Sequence, residues 1–85
     1  MVHVKLPSLL ASQAGDQRRF EIEATTVGEA LLALPVADLV MRAISKAEPW
    51  LLVYINNTNA AESGGLASPV TEKDEIRVIS VLAGG

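Results

Sequence analysis

The side chains that most often carry out catalysis are scarce in this sequence and lie far apart. His3 is the only histidine and cysteine is absent, so a nucleophilic triad would have to use His3, which has no obvious nucleophile beside it. The closest approach to a metal-binding group is the acidic cluster of Glu72, Asp74 and Glu75, which is typical of a polar turn. We therefore expect a surface histidine, a solvated acidic turn, and a protein that is neither an enzyme nor a metal-binding protein.

The glycine-rich stretch Ser63-Gly64-Gly65-Leu66 is a second place where chemistry could occur. A phosphate-binding loop needs a longer run and a lysine that reaches the phosphates. Because both are missing, we expect an ordinary turn here and no bound cofactor.

One further feature lies at the end of the printed sequence. An apolar stretch that ends at Val81 and Leu82 leads directly into Ala83, Gly84 and Gly85. At average glycine usage, two terminal glycines occur by chance in roughly one chain in 200. Residues without a Cβ atom can thread a narrow channel, and three residues beyond Leu82 reach at most about 10–11 Å. We expect a flexible tail over residues 82–85 that delivers a carboxylate into another protein's active site; the alternative is an ordinary frayed terminus.

Composition narrows the class of protein. Apolar residues make up 49% and charged residues 20% of the 85-residue chain, which suits one packed core and a single domain spanning residues 1–85. The lack of cysteine excludes a disulfide scaffold, thiol catalysis and iron–sulfur ligation. The sequence has no apolar run near the roughly 20 residues of a membrane span and no signal peptide. We expect a cytoplasmic protein with no membrane partner.

The charges argue against a nucleic-acid partner. The net charge is −3, and the seven lysines and arginines are scattered along the sequence. Nucleic-acid binding normally requires a basic patch with stacking aromatic side chains. The acidic balance favours a basic protein partner, although −3 is also an ordinary charge for solubility.

Hydrophobic periodicity predicts the elements that position these features. Two strands open the chain, one in which Val2, Val4 and Leu6 alternate with polar residues and one over residues 18–24, with Phe20 and Ile22 facing inward. A turn at residues 14–16 joins them into an antiparallel hairpin with a long loop.

A helical period follows the hairpin. Thr26 and Glu29 form a capping box, in which each side chain accepts a hydrogen bond from a free backbone N–H. Apolar residues continue at helical spacing to Leu34. Pro35 predicts a break, and a second apolar stripe runs from Val36 to about Lys46.

Two further strands complete the predicted architecture. Residues 51–55 form a continuous apolar run that indicates a strand buried on both sides, and Asn56-Asn57 indicates a turn. The last strand spans residues 75–82. The order β-β-α-β-(β)-β predicts an α+β fold, a mixed sheet of four or five strands packed on one main helix.

The last strand is apolar on both of its faces. Ile76 and Val78 point to one side, and Ile79 and Val81 point to the other. This pattern indicates a central strand, and its outward face either meets a partner or carries ordinary exposed aliphatic side chains.

Taken together, these motifs resemble the ThiS/MoaD-type sulfur carrier proteins, and the resemblance covers essentially the whole chain. It implies a β-grasp, ubiquitin-like domain. Within that family, the turn followed by Ser68-Pro69-Val70 is most similar to carriers that serve cysteine biosynthesis or specialised thio-metabolites. The motifs that carry the resemblance are the element order, Thr26–Glu29, Gly64-Gly65-Leu66 before Pro69-Val70, Lys73-Asp74-Glu75 and Leu82-Ala83-Gly84-Gly85.

The resemblance also implies a mechanism and partners. An E1-like adenylating enzyme would use ATP to adenylate the carboxylate of Gly85, and a sulfur donor would then displace AMP to leave a thiocarboxylate. A biosynthetic acceptor enzyme (in cysteine, thiamin or thio-metabolite formation) would receive the sulfur. Gly84 and Ala83 form the tail. The expected docking residues are Ile79, Val81, Leu82 and, from the neighbouring strand, Leu52 or Tyr54.

Three alternative functions remain open at this point. The first is the small subunit of molybdopterin synthase, although Ser80-Val81-Leu82 stands where those subunits typically have paired prolines. The second is a ubiquitin-like modifier that forms isopeptide bonds through Gly85. The third is a β-grasp interaction domain in which the two glycines have no role.

Overall fold

The computed structural model describes residues 1–45 and 50–81. Its helices and strands are, in chain order, β1 (Val2–Lys5), α1 (Ser8–Ala11), β2 (Arg19–Ile22), α2 (Val27–Leu32), α3 (Ala37–Ile44), β3 (Leu51–Ile55), β4 (Thr58–Asn59) and β5 (Glu75–Ser80), with short 3₁₀ turns at Ser12–Ala14, Ala60–Glu62 and Gly65–Ala67.

All five strands belong to one mixed sheet in the order β2-β1-β5-β3-β4. β1 pairs with β5 in parallel, and the other neighbours are antiparallel. The predicted α+β fold with a mixed sheet is therefore confirmed, and the last strand is central, as its two apolar faces indicated.

The first hairpin forms as predicted, but its connection contains a helix that the pattern did not reveal. In α1, the N–H groups of Leu10 and Ala11 both donate to the carbonyl of Pro7, and both side chains are buried. A four-residue helix is too short to show a helical period. The predicted turn follows, with positive φ at Gly15 and Asp16.

Two helical segments, α2 and α3, cover one face of the sheet. α2 ends at Leu32 and α3 begins at Ala37, so the break predicted at Pro35 is confirmed. Val27 and Leu31 of α2 and Val40 of α3 are buried in the same cluster as the inward residues of the strands. Lys46, the predicted end of the second apolar stripe, lies outside the described residues.

The start of α2 is capped from both sides. The Thr26 hydroxyl accepts a hydrogen bond from the Glu29 N–H at 3.2 Å, as predicted. The Glu29 carboxylate departs from the capping-box pattern, because its two shortest bonds reach one residue further back, to the N–H and the hydroxyl of Thr25, each at 2.7 Å.

Residues 68–70 hold this helix start against the rest of the chain. The Val27 N–H donates to the Ser68 carbonyl at 3.0 Å, and the Val70 N–H donates to the Thr25 carbonyl at 2.9 Å. The glycine turn that leads into this segment has φ of +119° at Gly64, where a Cβ atom would lie 3.2 Å from the buried Ser68 hydroxyl. The turn predicted at Gly64-Gly65 is confirmed.

The inward face of the sheet and the helices form one core. In β5 the inward residues are Ile76, Val78 and Ser80, and in β3 they include Leu51 and Val53. The alternate residues of β3, Leu52 and Tyr54, are only partly buried. The prediction that β3 is buried on both sides is thus only half right, because no element among the described residues covers its outward face.

Candidate functional site

The candidate site begins where β5 leads toward the predicted tail. The Val81 N–H donates to the Trp50 carbonyl at 2.9 Å, so the chain is hydrogen-bonded to its neighbour up to this residue. The Val81 side chain is 47% exposed. The predicted tail residues Leu82, Ala83, Gly84 and Gly85 lie outside the described residues.

The outward face of the sheet brings the described docking candidates together. Ile79 of β5 lies directly opposite Leu52 of β3, and Tyr54 lies opposite Arg77. Leu52, Tyr54 and Ile79 are each partly buried. Ile79, Val81 and Tyr54 were all predicted to contact a partner, and the structure places Ile79 and Tyr54 on one face of adjacent strands, with Val81 just beyond the end of β5.

His3 lies on the same face of the sheet, but toward its other end. Its Nδ1 is 3.7 Å from Oε1 of Glu21 on β2, and the two side chains are 55% and 68% exposed. His3 is therefore the surface residue that the alternation of β1 predicted.

The acidic cluster is a structural turn. Oδ2 of Asp74 accepts a hydrogen bond from the Thr71 N–H at 2.8 Å, and Oδ1 accepts one from the Asn56 side-chain amide at 3.1 Å. The bond from the Thr71 backbone and then that from Asn56 hold the pKa of Asp74 below its ordinary value of 3.8, because both favour the ionised form. Asn56 has φ of +57° and accepts from the Glu75 N–H at 3.1 Å.

A basic row was missed by the sequence interpretation, which treated the lysines and arginines as scattered. Lys5 of β1 lies opposite Arg19 of β2 on one side and opposite Arg77 of β5 on the other. The alternation of β1 and β2 already pointed Lys5 and Arg19 outward. What the sequence could not show is the parallel pairing of β1 with β5, which adds Arg77 to the row.

The part of the chain that the structure describes has neither a metal-binding cluster nor a membrane-spanning helix. It contains no group of three or more histidine and acidic side chains placed to bind a metal ion. None of its helices has the length and apolar character needed to cross a membrane.

The five-stranded mixed sheet, with helices on one face, has the ubiquitin-like β-grasp fold. The ThiS family model matches residues 4–85, and the chain therefore belongs to the ThiS family.

Several known proteins are similar to this chain in sequence or in fold. The sulfur carrier protein CysO of Mycobacterium tuberculosis is 25% identical over 91 residues, and the match covers 99% of this chain and 98% of that protein. The crystal structure of M. tuberculosis CysO, an antigen, has a TM-score of 0.81 at 21% identity and covers 96% of this chain and 100% of its own. The Amycolatopsis orientalis BexX/CysO complex contains a chain with a TM-score of 0.79 at 24% identity, with 100% of both chains covered.

Proposed function

We propose that this chain is a ubiquitin-like sulfur carrier whose C-terminal glycine is converted to a thiocarboxylate. The observation that carries the proposal is the extent of the family match, which runs from residue 4 through Gly84 and Gly85. The match to a sulfur carrier protein over 98% of that protein's length supports the same function.

The proposed chemistry takes place on the backbone carboxylate of Gly85. A carboxylate is a poor electrophile, so an adenylating enzyme first attaches it to AMP from ATP and releases pyrophosphate. A sulfur donor then attacks the acyl carbon, the bond to AMP breaks, and a thiocarboxylate remains. The carrier supplies the reacting carboxylate, while its partners supply the acids, bases and metal ions.

The outward face of β5 and β3 is the proposed docking surface for these partners. Val81, the last residue that the structure describes, is hydrogen-bonded to Trp50 and follows β5 just beyond the patch formed by Ile79 and Leu52. In this proposal, a partner that binds residues 82–85, which follow Val81 in the sequence, also contacts this patch. The A. orientalis chain of similar fold is part of a BexX/CysO complex.

The test is conversion of the 85-residue chain by the E1-like adenylating enzyme of the same organism, with ATP and sulfide. We expect the intact mass to change by one oxygen-to-sulfur exchange, located at Gly85 by fragmentation. Omission of ATP, or deletion of Gly84 and Gly85, should abolish the exchange, and urea unfolding of the deletion variant checks that its domain remains folded.

Two outcomes would contradict the proposal. One is an unchanged mass after incubation with an adenylating enzyme that converts its own known carrier. The other is the appearance of covalent conjugates on denaturing gels in place of a thiocarboxylate, since an isopeptide-forming modifier gives that result.

A further inference from the structure

The outward face of the sheet carries its side chains in three rows that differ in chemistry. Strand pairing places directly opposed residues on the same face, and the rows run across the strands. They are an acidic and histidine row (Glu21, His3, Glu75), a basic row (Arg19, Lys5, Arg77) that continues into Tyr54, and an apolar row (Ile79, Leu52).

The spacing of the rows follows from strand geometry. Residues two apart along a strand are separated by about 6.6 Å, and neighbouring strands by about 4.8 Å. The basic row therefore lies about 6.6 Å from the apolar row, and the backbones of Arg19 and Arg77 are about 10 Å apart. Polarity changes in steps along β5, and the apolar end is the end nearest the tail.

The basic row concentrates positive charge on one face of a chain whose net charge is negative. The chain has a net charge of −3, and yet three of the lysine and arginine residues stand side by side on adjacent strands. Within the described residues, Lys5 and Arg19 take part in no ion pair. Their positive charge is therefore available to a partner.

Arg77, at the centre of the sheet, adds a more specific signal. Its Nε is shielded from solvent and has no hydrogen-bond acceptor among the described residues. The closest carboxylate oxygen, Oε1 of Glu75, is 4.0 Å away, which is beyond hydrogen-bond distance. A shielded donor without an acceptor is costly, and a guanidinium pairs best with a carboxylate, which can accept two parallel bonds.

We propose that the row Arg19–Lys5–Arg77 binds a cluster of carboxylates on the adenylating enzyme, next to an apolar patch of that enzyme that covers Ile79 and Leu52. This inference rests on the proposed function. The enzyme's carboxylates lie about 6.6 Å farther from the entry point of the tail than its apolar patch. The recognising partner is acidic at this surface, which is the reverse of what the net charge of the chain indicated.

The acidic and histidine row (Glu21, His3, Glu75) fixes the orientation of the partner. If the enzyme docked with its carboxylates at the other end of the face, they would lie against Glu21 and Glu75, which are 68% and 50% exposed. Like charges placed together across an interface are unfavourable and exclude wrong arrangements. The sequence of apolar, basic and acidic rows therefore directs the tail toward the enzyme's active site.

The experiment compares two triple charge reversals of the full chain. One is Arg19→Glu, Lys5→Glu and Arg77→Glu on the row; the matched control is Arg18→Glu, Arg42→Glu and Lys73→Glu, which has the same net charge. The readout is the rate of thiocarboxylate formation by the adenylating enzyme at saturating ATP, at low and at physiological salt. Urea unfolding verifies that all chains are folded.

We expect the row variant to raise KM about tenfold or more at low salt and to leave kcat within about twofold, since charges across an interface act on binding and not on the chemical step. The wild-type KM should rise with salt while that of the row variant changes little, because salt screens only an attraction that exists. The control should stay within about threefold of the wild type. Reversal of the enzyme's acidic residues to lysine should restore the row variant.

Failures of the two proposals are distinguishable. A wild-type chain that the enzyme does not convert overturns the proposed function. A wild-type chain that is converted, together with a row variant whose KM is unchanged, overturns the basic-row proposal alone. The same conclusion follows if the row variant is adenylated normally but, once carrying a chemically installed thiocarboxylate, fails to deliver sulfur to the acceptor enzyme.

Discussion

At the scale of single residues, the acidic cluster around Asp74 stabilises a turn and forms no metal-binding site among the described residues. Asp74 joins its own turn to the turn after β3 through its two carboxylate oxygens, which accept from Thr71 at 2.8 Å and from Asn56 at 3.1 Å. Asn56 in turn accepts from the Glu75 N–H, so this network anchors the start of the central strand. An acidic cluster in sequence becomes a hydrogen-bonded turn because its carboxylate finds backbone donors.

This network predicts a pH dependence of stability. The pKa of Asp74 is lowered in the folded state by the Thr71 and Asn56 hydrogen bonds, so its contribution is fully present above the ordinary, unfolded-state value of 3.8. It is lost as the pH falls from there through the lower folded-state value. Asp74→Asn should lower the free energy of unfolding by about 1 kcal/mol at neutral pH and flatten its decline below about pH 4.

Urea unfolding at several pH values checks this, with Glu23→Gln as the control. Glu23 is exposed and forms no hydrogen bond or ion pair with the described residues. An Asp74→Asn curve that remains parallel to the wild type down to acid pH would show that Asp74 is not the responsible group.

At the scale of elements, α2 depends on its first turn. It has only six residues, and isolated helices of that length are not stable in water. Its start is fixed by the Thr26 cap, by the Glu29 bonds to Thr25, and by the backbone bonds to residues 68–70.

We expect Thr26→Ala to lower the free energy of unfolding by about 1 kcal/mol, because the Glu29 N–H loses its acceptor. Thr26→Ser keeps the hydroxyl and should restore most of the loss. The measurement is the midpoint of urea unfolding, compared between variants whose dependence of unfolding free energy on urea concentration is the same. Equal destabilisation by serine and alanine would mean that the threonine methyl group, and not the cap, stabilises this helix start.

The elements also show how far the sequence could predict this fold. The Thr26 cap, the break at Pro35 and the turn at Asn56 follow from local chemistry, and all are present. α1 is absent from the prediction because four residues do not display a period. The outward face of β3 was hidden, since a run of five apolar residues carries no alternation. Only its pairing with β5, a contact distant in sequence, shows that Leu52 shares a face with Ile79.

At the scale of the whole molecule, one sheet serves two purposes. Its inward face and the helices form the core, and its outward face carries the three rows. β5 lies at the centre and joins both, so mutations on this strand should separate stability from partner binding according to the face they alter. The sequence predicted the two-sided strand, whereas the basic row needed the strand order of the sheet.

Ile76 and Ile79 provide the matched test of that division. Ile76 is completely buried beneath the helices, and Ile79 is partly buried on the outward face. Ile76→Val should lower the free energy of unfolding by about 1 kcal/mol through the lost methylene and the space it leaves. The identical change at Ile79 should stay within about 0.5 kcal/mol, as measured by urea unfolding.

For KM of thiocarboxylate formation, we expect the change at Ile79 to have the larger effect and the change at Ile76 the smaller one. Ile79→Thr keeps a β-branched side chain on the strand while it places a hydroxyl in the apolar row, so we expect KM for thiocarboxylate formation to rise several-fold with little change in stability. Ile76→Val should leave that KM unchanged, since its side chain faces the core. If both variants altered KM equally, the outward face would not be the docking surface, and the apolar side chains of β5 would act only through folding.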